Sequence, residues 1–219
     1  INYGILTLDN NVGTINHNDR INDAAAITLR GGTLTYIGRA QTISSETLGS
    51  LTLAEGSNLV IAQHGNVGLS EANLTFASLI RPANSGAVVN FNSFTSVGVG
   101  TIGGTGSNPH ILFSAAPTLT NGMIGPWAIA NYGGFASYTP DLGVGEFGQA
   151  GFPVYATTLA SGNVTNLTAT TNLTAASNVT GALRLGAGAT LDITFSNAAN
   201  VLNIETGGLV RSNNNNGTT

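Results

Sequence analysis

Five aliphatic residues recur at every sixth position in the last third of the chain, and this spacing limits the possible folds more than any other feature. If each strand and its turn use six residues, these side chains point inward in a coil with short sides. Equivalent residues in successive turns of such a coil stack about 4.8 Å apart, so that aliphatic side chains rest on one another. The spacing predicts a β-solenoid. The residues are Leu167, Leu173, Val179, Leu185 and Leu191.

The same stretch is rich in Asn-X-Thr triplets. Asn at a turn tolerates left-handed backbone angles and can donate its amide to the next turn, while Thr favours an extended backbone. Each triplet is also a formal N-glycosylation acceptor, so two interpretations stay open: a repeated structural element or a set of sugar attachment sites. The triplets start at Asn73, Asn163, Asn166, Asn172, Asn178 and Asn216.

Helix signals are nearly absent upstream, and short alternating segments recur between polar turns. The two Asn-Gly pairs do not separate alternating runs, which favours a parallel solenoid over an antiparallel sandwich. Rungs of roughly 20 to 25 residues describe residues 27–113. We predict strands at 4–8, 26–29, 33–37, 50–53, 58–62, 72–76, 87–91, 110–113, 182–185, 190–195 and 201–204.

The expected architecture is therefore all-β: a single parallel β-helix over residues 1–212, followed by a polar tail or linker at 213–219. Composition restricts the function. Charged residues make up 7% of the chain and the net charge is -4, which argues against a nucleic-acid partner. No apolar run is long enough for a membrane helix. The absence of lysine and cysteine, together with abundant Thr and Asn, favours an extracellular or cell-surface protein.

Several segments resemble the autotransporter-associated β-strand repeats of large bacterial surface and secreted proteins. The resemblance covers most of residues 27–138 and is weaker beyond them. It implies a right-handed β-helix in a mostly non-catalytic extracellular passenger or stalk. The segments are ITLRGGTLTYIG (27–38), SSETLGSLTLAEGSNLVI (44–61), LTFASLIR (74–81), APTLTNGMIGPWAIANYGGFASY (116–138) and LRLGAGATLDI (183–193).

Alternation fails between residues 122 and 155, where seven of the fourteen aromatic residues and three prolines occur. Because proline interrupts a central strand, this segment is expected to leave the coil. Its rings either fold back onto the solenoid as a satellite core or bind a ligand such as an extracellular glycan. The candidate ligand-binding residues are Trp127, Tyr132, Phe135 and Tyr138.

Catalytic and metal chemistry have weaker support. A β-helix polysaccharide lyase or hydrolase needs two or three converging carboxylates, whereas the ten acidic residues mostly lie singly in the sequence. The loop NHNDRIND (16–23) offers hard oxygen ligands for Ca²⁺, with Asp19 and Asp23 as candidates, but it lacks EF-hand spacing. A solvated turn is the alternative. No other cofactor is indicated.

These patterns predict a non-enzymatic structural module: a stalk, an adhesin passenger or the subunit of a surface fibre. Its partners would be copies of itself or further domains of the same chain. The strand predicted at residues 4–8 begins the coil with no evident polar cap, so we expect end-on association or strand donation. The alternatives are a carbohydrate-binding module that uses the aromatic segment, or the polysaccharide lyase or hydrolase.

Overall fold

The computed structural model describes residues 1–12, 15–65, 70–93, 101–186 and 191–212. These residues contain twenty β-strands and no helix, and stacked parallel strands form a β-solenoid of about seven turns. The predicted fold class is confirmed, while handedness stays a prediction. No helix in this part of the chain is long and apolar enough to cross a membrane.

Three parallel sheets form the walls of the first part of the solenoid. The first sheet contains β1 (Ile5–Asp9), β3 (Thr33–Ile37), β6 (Ser57–Gln63), β9 (Val88–Asn92) and β11 (Ala128–Ala130). The second contains β2 (Ile27–Arg30), β5 (Leu51–Glu55) and β8 (Leu79–Ile80). The third contains β4 (Ile43–Leu48), β7 (Glu71–Phe76) and β10 (His110–Phe113).

Alternating side chains along each strand fill the interior of this coil. Leu34, Val60 and Phe91 occupy equivalent positions in β3, β6 and β9, and all three are fully buried. Because the strands are parallel and in register, apolar residues stack directly on apolar residues along the axis. Phe113 lies in a cluster with Phe76, Phe91 and Tyr138, at ring-centroid distances of 5.7, 6.4 and 5.8 Å. The core is thus one continuous apolar column.

An antiparallel hairpin ends this parallel run. Its strands are β12 (Gly134–Thr139), which pairs with β11, and β13 (Gly143–Glu146), which pairs with β12. Alternate residues of β12 face opposite ways: Ala136 and Tyr138 belong to the core of the first coil, while Phe135 belongs to a second cluster. The hairpin is a partition buried on both faces, so much of the segment predicted to leave the coil does fold back as a core.

A second, shorter coil follows the partition. Its strands are β14 (Val164–Leu167), β15 (Thr171–Leu173), β16 (Ser177–Thr180), β17 (Ala182–Leu185), β18 (Ile193–Phe195), β19 (Val201–Ile204) and β20 (Leu209–Arg211). They form the parallel sheets β14-β17-β20, β15-β18 and β16-β19.

The six-residue spacing describes the sides of this second coil. Val164 pairs with Ala182, so the first turn uses 18 residues for three strands. Leu167 consequently stacks on Leu185, as the spacing predicts. The next turn is longer, and it places Phe195 beside Leu173 and Asn203 beside Val179. The predicted stacking of each aliphatic residue on another therefore holds for only part of the series, because the turns differ in length.

Asparagine side chains link successive turns in both coils. In the first, Asn58 Nδ2 is within 3.1 Å of Val88 O on the next turn, and its Oδ1 accepts from Gly32 N on the previous one. In the second, Asn178 Nδ2 donates to Val201 O at 3.1 Å. These bonds match the predicted role of Asn in connecting turns.

Candidate functional site

The two ends of the solenoid present strand edges that are unpaired among the described residues. β1 lies at the end of its sheet, and β18, β19 and β20 end the sheets of the second coil. Large apolar side chains are exposed at both ends: Tyr3 (76%) and Ile5 (75%) at the first, and Val201 (53%) of β19 at the other. Unpaired edges with apolar side chains are suited to pairing with another strand.

Polar groups close the interior of the first turn. Glu46 is fully buried and accepts backbone N–H bonds from Arg20 and Ile21, the latter at 2.9 Å. Arg20 Nε donates to Asn10 Oδ1 at 2.7 Å, and Asn10 Nδ2 donates to the Tyr36 hydroxyl at 3.3 Å. Burial, with the nearby Glu46, raises the pKa of Tyr36 to about 12, so this hydroxyl is neutral at physiological pH.

This network corrects the expectation that the first turn lacks a polar cap. The loop at residues 16–23 was expected to be a solvated turn or a cation site, and its first part lies against β4: Ser45 N donates to Asn18 Oδ1, and Asn16 Nδ2 donates to Ile43 O. The sequence did not reveal this role because Glu46 lies 25 residues after Ile21. These polar groups lie at the first turn among the described residues, so we expect contact at this end to use the strand edge and the outer side chains.

The candidate cation residues Asp19 and Asp23 are both exposed. Neither takes part in the hydrogen bonds that join Asn10, Arg20 and Glu46. Within the part of the chain that the structure describes, no three acidic or histidine side chains come together in a group that would hold a metal ion.

The four aromatic residues proposed for ligand binding lie in different environments. Phe135 is fully buried, and Tyr138 is buried with its hydroxyl donating to Phe113 O at 3.0 Å. Tyr132 is 47% exposed and has a left-handed backbone conformation. Trp127 is partly buried, packs against the first core and lies under the Arg81 guanidinium at 5.2 Å. Among these rings, Trp127 and Tyr132 retain access to solvent.

Arg184 joins the second coil to the partition. Its Nε donates to Gly133 O at 2.8 Å, its Nη1 donates to Asn166 Oδ1 at 3.2 Å, and its Nη2 lies 3.6 Å from Glu146 Oε1. The guanidinium also stands over the Tyr155 ring, 5.2 Å from its centroid. A cleft of about 400 Å³ opens beside this group. Sequence reasoning missed it because Glu146 and Arg184 become neighbours only when the coil docks on the hairpin.

Glu146 makes stability depend on pH. Burial raises the pKa of its carboxyl above the ordinary 4.5, and Arg184 only partly opposes this effect. The folded protein thus binds the proton more tightly than the unfolded chain, and stability falls as pH rises from about 4.5 toward neutrality. We expect urea unfolding to show a larger loss between pH 5 and pH 7.5 in the wild type than in Glu146→Gln.

The range from pH 5 to pH 7.5 lies above the titration of Glu205, which changes stability in the opposite direction. Hydrogen bonds from Ser161 and Gly162 lower the pKa of Glu205, so its contribution to stability is lost only as pH falls below the ordinary range of a carboxyl group. Glu205 therefore stays ionised between pH 5 and pH 7.5. An equal slope in wild type and Glu146→Gln would contradict the assignment of the pH effect to Glu146.

Five of the six Asn-X-Thr acceptors lie in the described residues, and Asn216 lies outside them. Asn172 is exposed and accepts from Thr194 Oγ1 at 3.2 Å. Asn73 and Asn178 are half-buried, and a glycan on Asn178 would replace one of the two amide hydrogens that bond to Ala175 O and Val201 O. Asn163 and Asn166 are also half-buried. The structural use of these amides is thus observed, while their glycosylation remains a prediction.

The fold defines the chain as a β-solenoid protein, and its first and last strands present edges that have no partner strand among the residues described. A scan against protein-family models found no match, and searches of curated proteins and of solved structures found none either. The resemblance to autotransporter-associated repeats therefore stays a prediction.

Proposed function

We propose that this chain is a non-enzymatic extracellular structural module, a rigid β-solenoid that serves as a stalk, an adhesin passenger or the subunit of a surface fibre. The observation that carries the proposal is the outer edge of β1, which pairs with no other strand in the part of the chain that the structure describes, together with the exposed side chains of Tyr3 and Ile5. Such an edge offers backbone donors and acceptors together with apolar contact area. The partner is a strand from a second copy or from a further domain.

The ladder of backbone hydrogen bonds supports a mechanical role. Within each coil the strands of one turn pair with those of the next, so axial load is distributed over the stacked sheets. The polar groups at the first turn already have hydrogen-bond partners: the Glu46 carboxylate accepts from the Arg20 backbone N–H, and Arg20 Nε donates to Asn10 Oδ1. This favours contact with a partner through the strand edge. The low fraction of charged residues is consistent with stability that rests on the backbone ladder.

The test compares lysine substitutions at two apolar residues of similar exposure, Ile5 and Val154. Ile5→Lys places a charge on the open edge, and Val154→Lys places one at a site that is 79% exposed and lies outside the strands. Lysine is a residue by which natural edge strands resist pairing. We expect wild-type protein to associate with rising concentration in sedimentation velocity, and Ile5→Lys to weaken that association about ten-fold, roughly 1.4 kcal/mol.

Val154→Lys should associate like the wild type. A wild-type protein that stays monomeric at every concentration would overturn end-on self-association. Equal weakening by both substitutions would exclude β1 as the contact. Electron microscopy of the same samples should show rods or fibres that lengthen in the wild type and in Val154→Lys, and separate short particles in Ile5→Lys.

A further inference from the structure

A polar cleft follows the junction between the partition and the second coil. Its wider part, about 400 Å³, is lined by Glu146 at the end of β13 and by Asn166 and Arg184, which are paired neighbours on β14 and β17. A second depression of about 280 Å³ shares Tyr155 and Asn166 with it and is lined further by three threonines. Together the two reach the size of ordinary ligand sites.

The Glu146 carboxylate is an unused acceptor in this cleft. Its oxygens accept no hydrogen bond from the residues that the structure describes, since Arg184 Nη2 lies 3.6 Å from Oε1, beyond hydrogen-bond distance. Neither oxygen belongs to the enclosed polar atoms that lack a partner. Both are therefore open to solvent, in agreement with a side chain that is 23% exposed, and a ligand hydroxyl can reach them.

Two donors on residues that line the cleft are also unused. Arg184 Nε and Nη1 donate to Gly133 O and Asn166 Oδ1, which leaves Nη2 without a hydrogen bond to any described residue. Asn166 uses its side-chain oxygen for Arg184, while its Nδ2 donates to no described residue. Neither nitrogen is enclosed. Because the Tyr155 ring and Gly133 O fix the guanidinium, its free N–H groups are held ready for a ligand.

We infer that this cleft binds a neutral saccharide through two adjacent hydroxyl groups. A hydroxyl both donates and accepts hydrogen bonds. One sugar hydroxyl can thus donate to Glu146 while its neighbour accepts from Arg184 Nη2, and Asn166 Nδ2 can donate to a further oxygen. The second depression, which has no charged residue in its described lining, gives room for a second ring.

The charges of the lining exclude most other ligands. Among the described residues of the cleft, only Glu146 and Arg184 carry a charge. A phosphate or carboxylate has acceptors alone and would face the Glu146 carboxylate, whereas an ammonium group has donors alone and would face the Arg184 guanidinium. Like charges brought together in this way oppose binding.

A peptide backbone is neutral and also has both donors and acceptors, but its geometry fits less well. The N–H and C=O of one trans peptide unit point in opposite directions. One unit therefore cannot serve a donor and an acceptor that lie 3.6 Å apart, as Arg184 Nη2 and Glu146 Oε1 do. The cleft does not include β1, so sugar binding does not rest on the proposed end-on association.

Saturation-transfer NMR on the full chain tests the inference with methyl β-glucopyranoside, methyl β-galactopyranoside, maltose and cellobiose as neutral probes. The corresponding uronate and amino sugar are the charged counterparts, and acetyl-triglycine amide is the peptide counterpart. We expect at least one neutral sugar to bind saturably and its charged counterparts to bind about ten-fold more weakly or worse. The sugar should also shift the NMR signals of the Asn166 side-chain amide and of Arg184 Nε–H.

Two variants remove the acceptor and a donor separately. Glu146→Gln removes the charged acceptor, and Asn166→Asp keeps the Oδ1 acceptor for Arg184 but removes the free N–H groups. Each should weaken binding about ten-fold, the usual effect of losing a hydrogen bond to a charged group or an unshared donor. Glu205→Gln and Asn172→Asp make the same changes at exposed residues outside the cleft and should leave the affinity unchanged.

Urea unfolding first establishes that each variant is folded under the assay conditions. A lack of saturable binding by all four neutral sugars would overturn the inference. Equal weakening by the cleft variants and their controls, or shifts confined to signals away from Asn166 and Arg184, would remove the sugar from this cleft. Binding of acetyl-triglycine amide or of the uronate as tight as that of the sugar would assign the cleft to a peptide or an anion instead.

Discussion

Phe113→Ala is expected to destabilise the protein by about 3–5 kcal/mol, the usual cost of removing a buried aromatic ring. Phe113 is 4% exposed and lies among Phe76, Phe91 and Tyr138. These rings come from different walls of the coil and from the partition, so the cavity cannot close by a shift of one strand. Urea unfolding followed by circular dichroism measures the loss.

The control is the same change at the surface. Phe195 is 44% exposed in β18, and Phe195→Ala should cost only about 0.5–1 kcal/mol. In Phe113→Ala the backbone of residue 113 keeps its two hydrogen bonds to the Tyr138 hydroxyl. The difference in unfolding free energy between the two variants therefore measures the loss of the buried aromatic ring. Similar losses at the two positions would show that the first core tolerates the cavity and would contradict the aromatic cluster as its centre.

Arg184→Met is expected to lower the free energy of unfolding by about 2–4 kcal/mol. Methionine keeps an apolar stem but leaves Gly133 O and Asn166 Oδ1 without their donor, and Glu146 without its cation. Side chains of this pair are only 15% and 23% exposed, and breaking a largely buried pair leaves an uncompensated charge. Unfolding should become easier first at the junction between coil and partition, which hydrogen exchange would detect.

Arg30→Met is the matched control. Arg30 and Glu55 form an ion pair at 3.5 Å with side chains 49% and 47% exposed, and its loss should cost less than about 1 kcal/mol. The double variant Arg184→Met with Glu146→Leu should recover part of the lost stability, because an apolar pair removes the uncompensated charge. No recovery, or equal losses for Arg184→Met and Arg30→Met, would contradict the role given to Arg184.

Much of the strand pattern was predictable from alternation alone. The strands predicted at 33–37, 110–113, 182–185 and 201–204 agree with β3, β10, β17 and β19. By contrast β4 was missed, because Ser44 and Glu46 occupy its inward positions and no apolar alternation is visible. Their buried polar groups are satisfied by Asn16, Arg20 and Ile21, which precede them by more than twenty residues.

The hairpin that forms the partition was predicted only in part. Aromatic residues and prolines between 122 and 155 indicated a departure from the coil and a satellite core, and the clustering of Phe135 and Phe147 agrees with the latter. They did not indicate an antiparallel hairpin with β12 shared between two cores. A strand buried on both faces shows no polar alternation, which removes the usual local signal.

The coil of short parallel strands can be read from the chain alone, because inward and outward alternation and the six-residue spacing follow from local backbone geometry. The pairs that meet between turns, including Arg184 with Glu146 and Glu46 with Arg20, are known only from the folded protein. Turn length varies, since Val164 pairs with Ala182, 18 positions later, whereas Asn73 pairs with His110, 37 positions later. Local preferences do not set these intervals, and the packing of successive turns does.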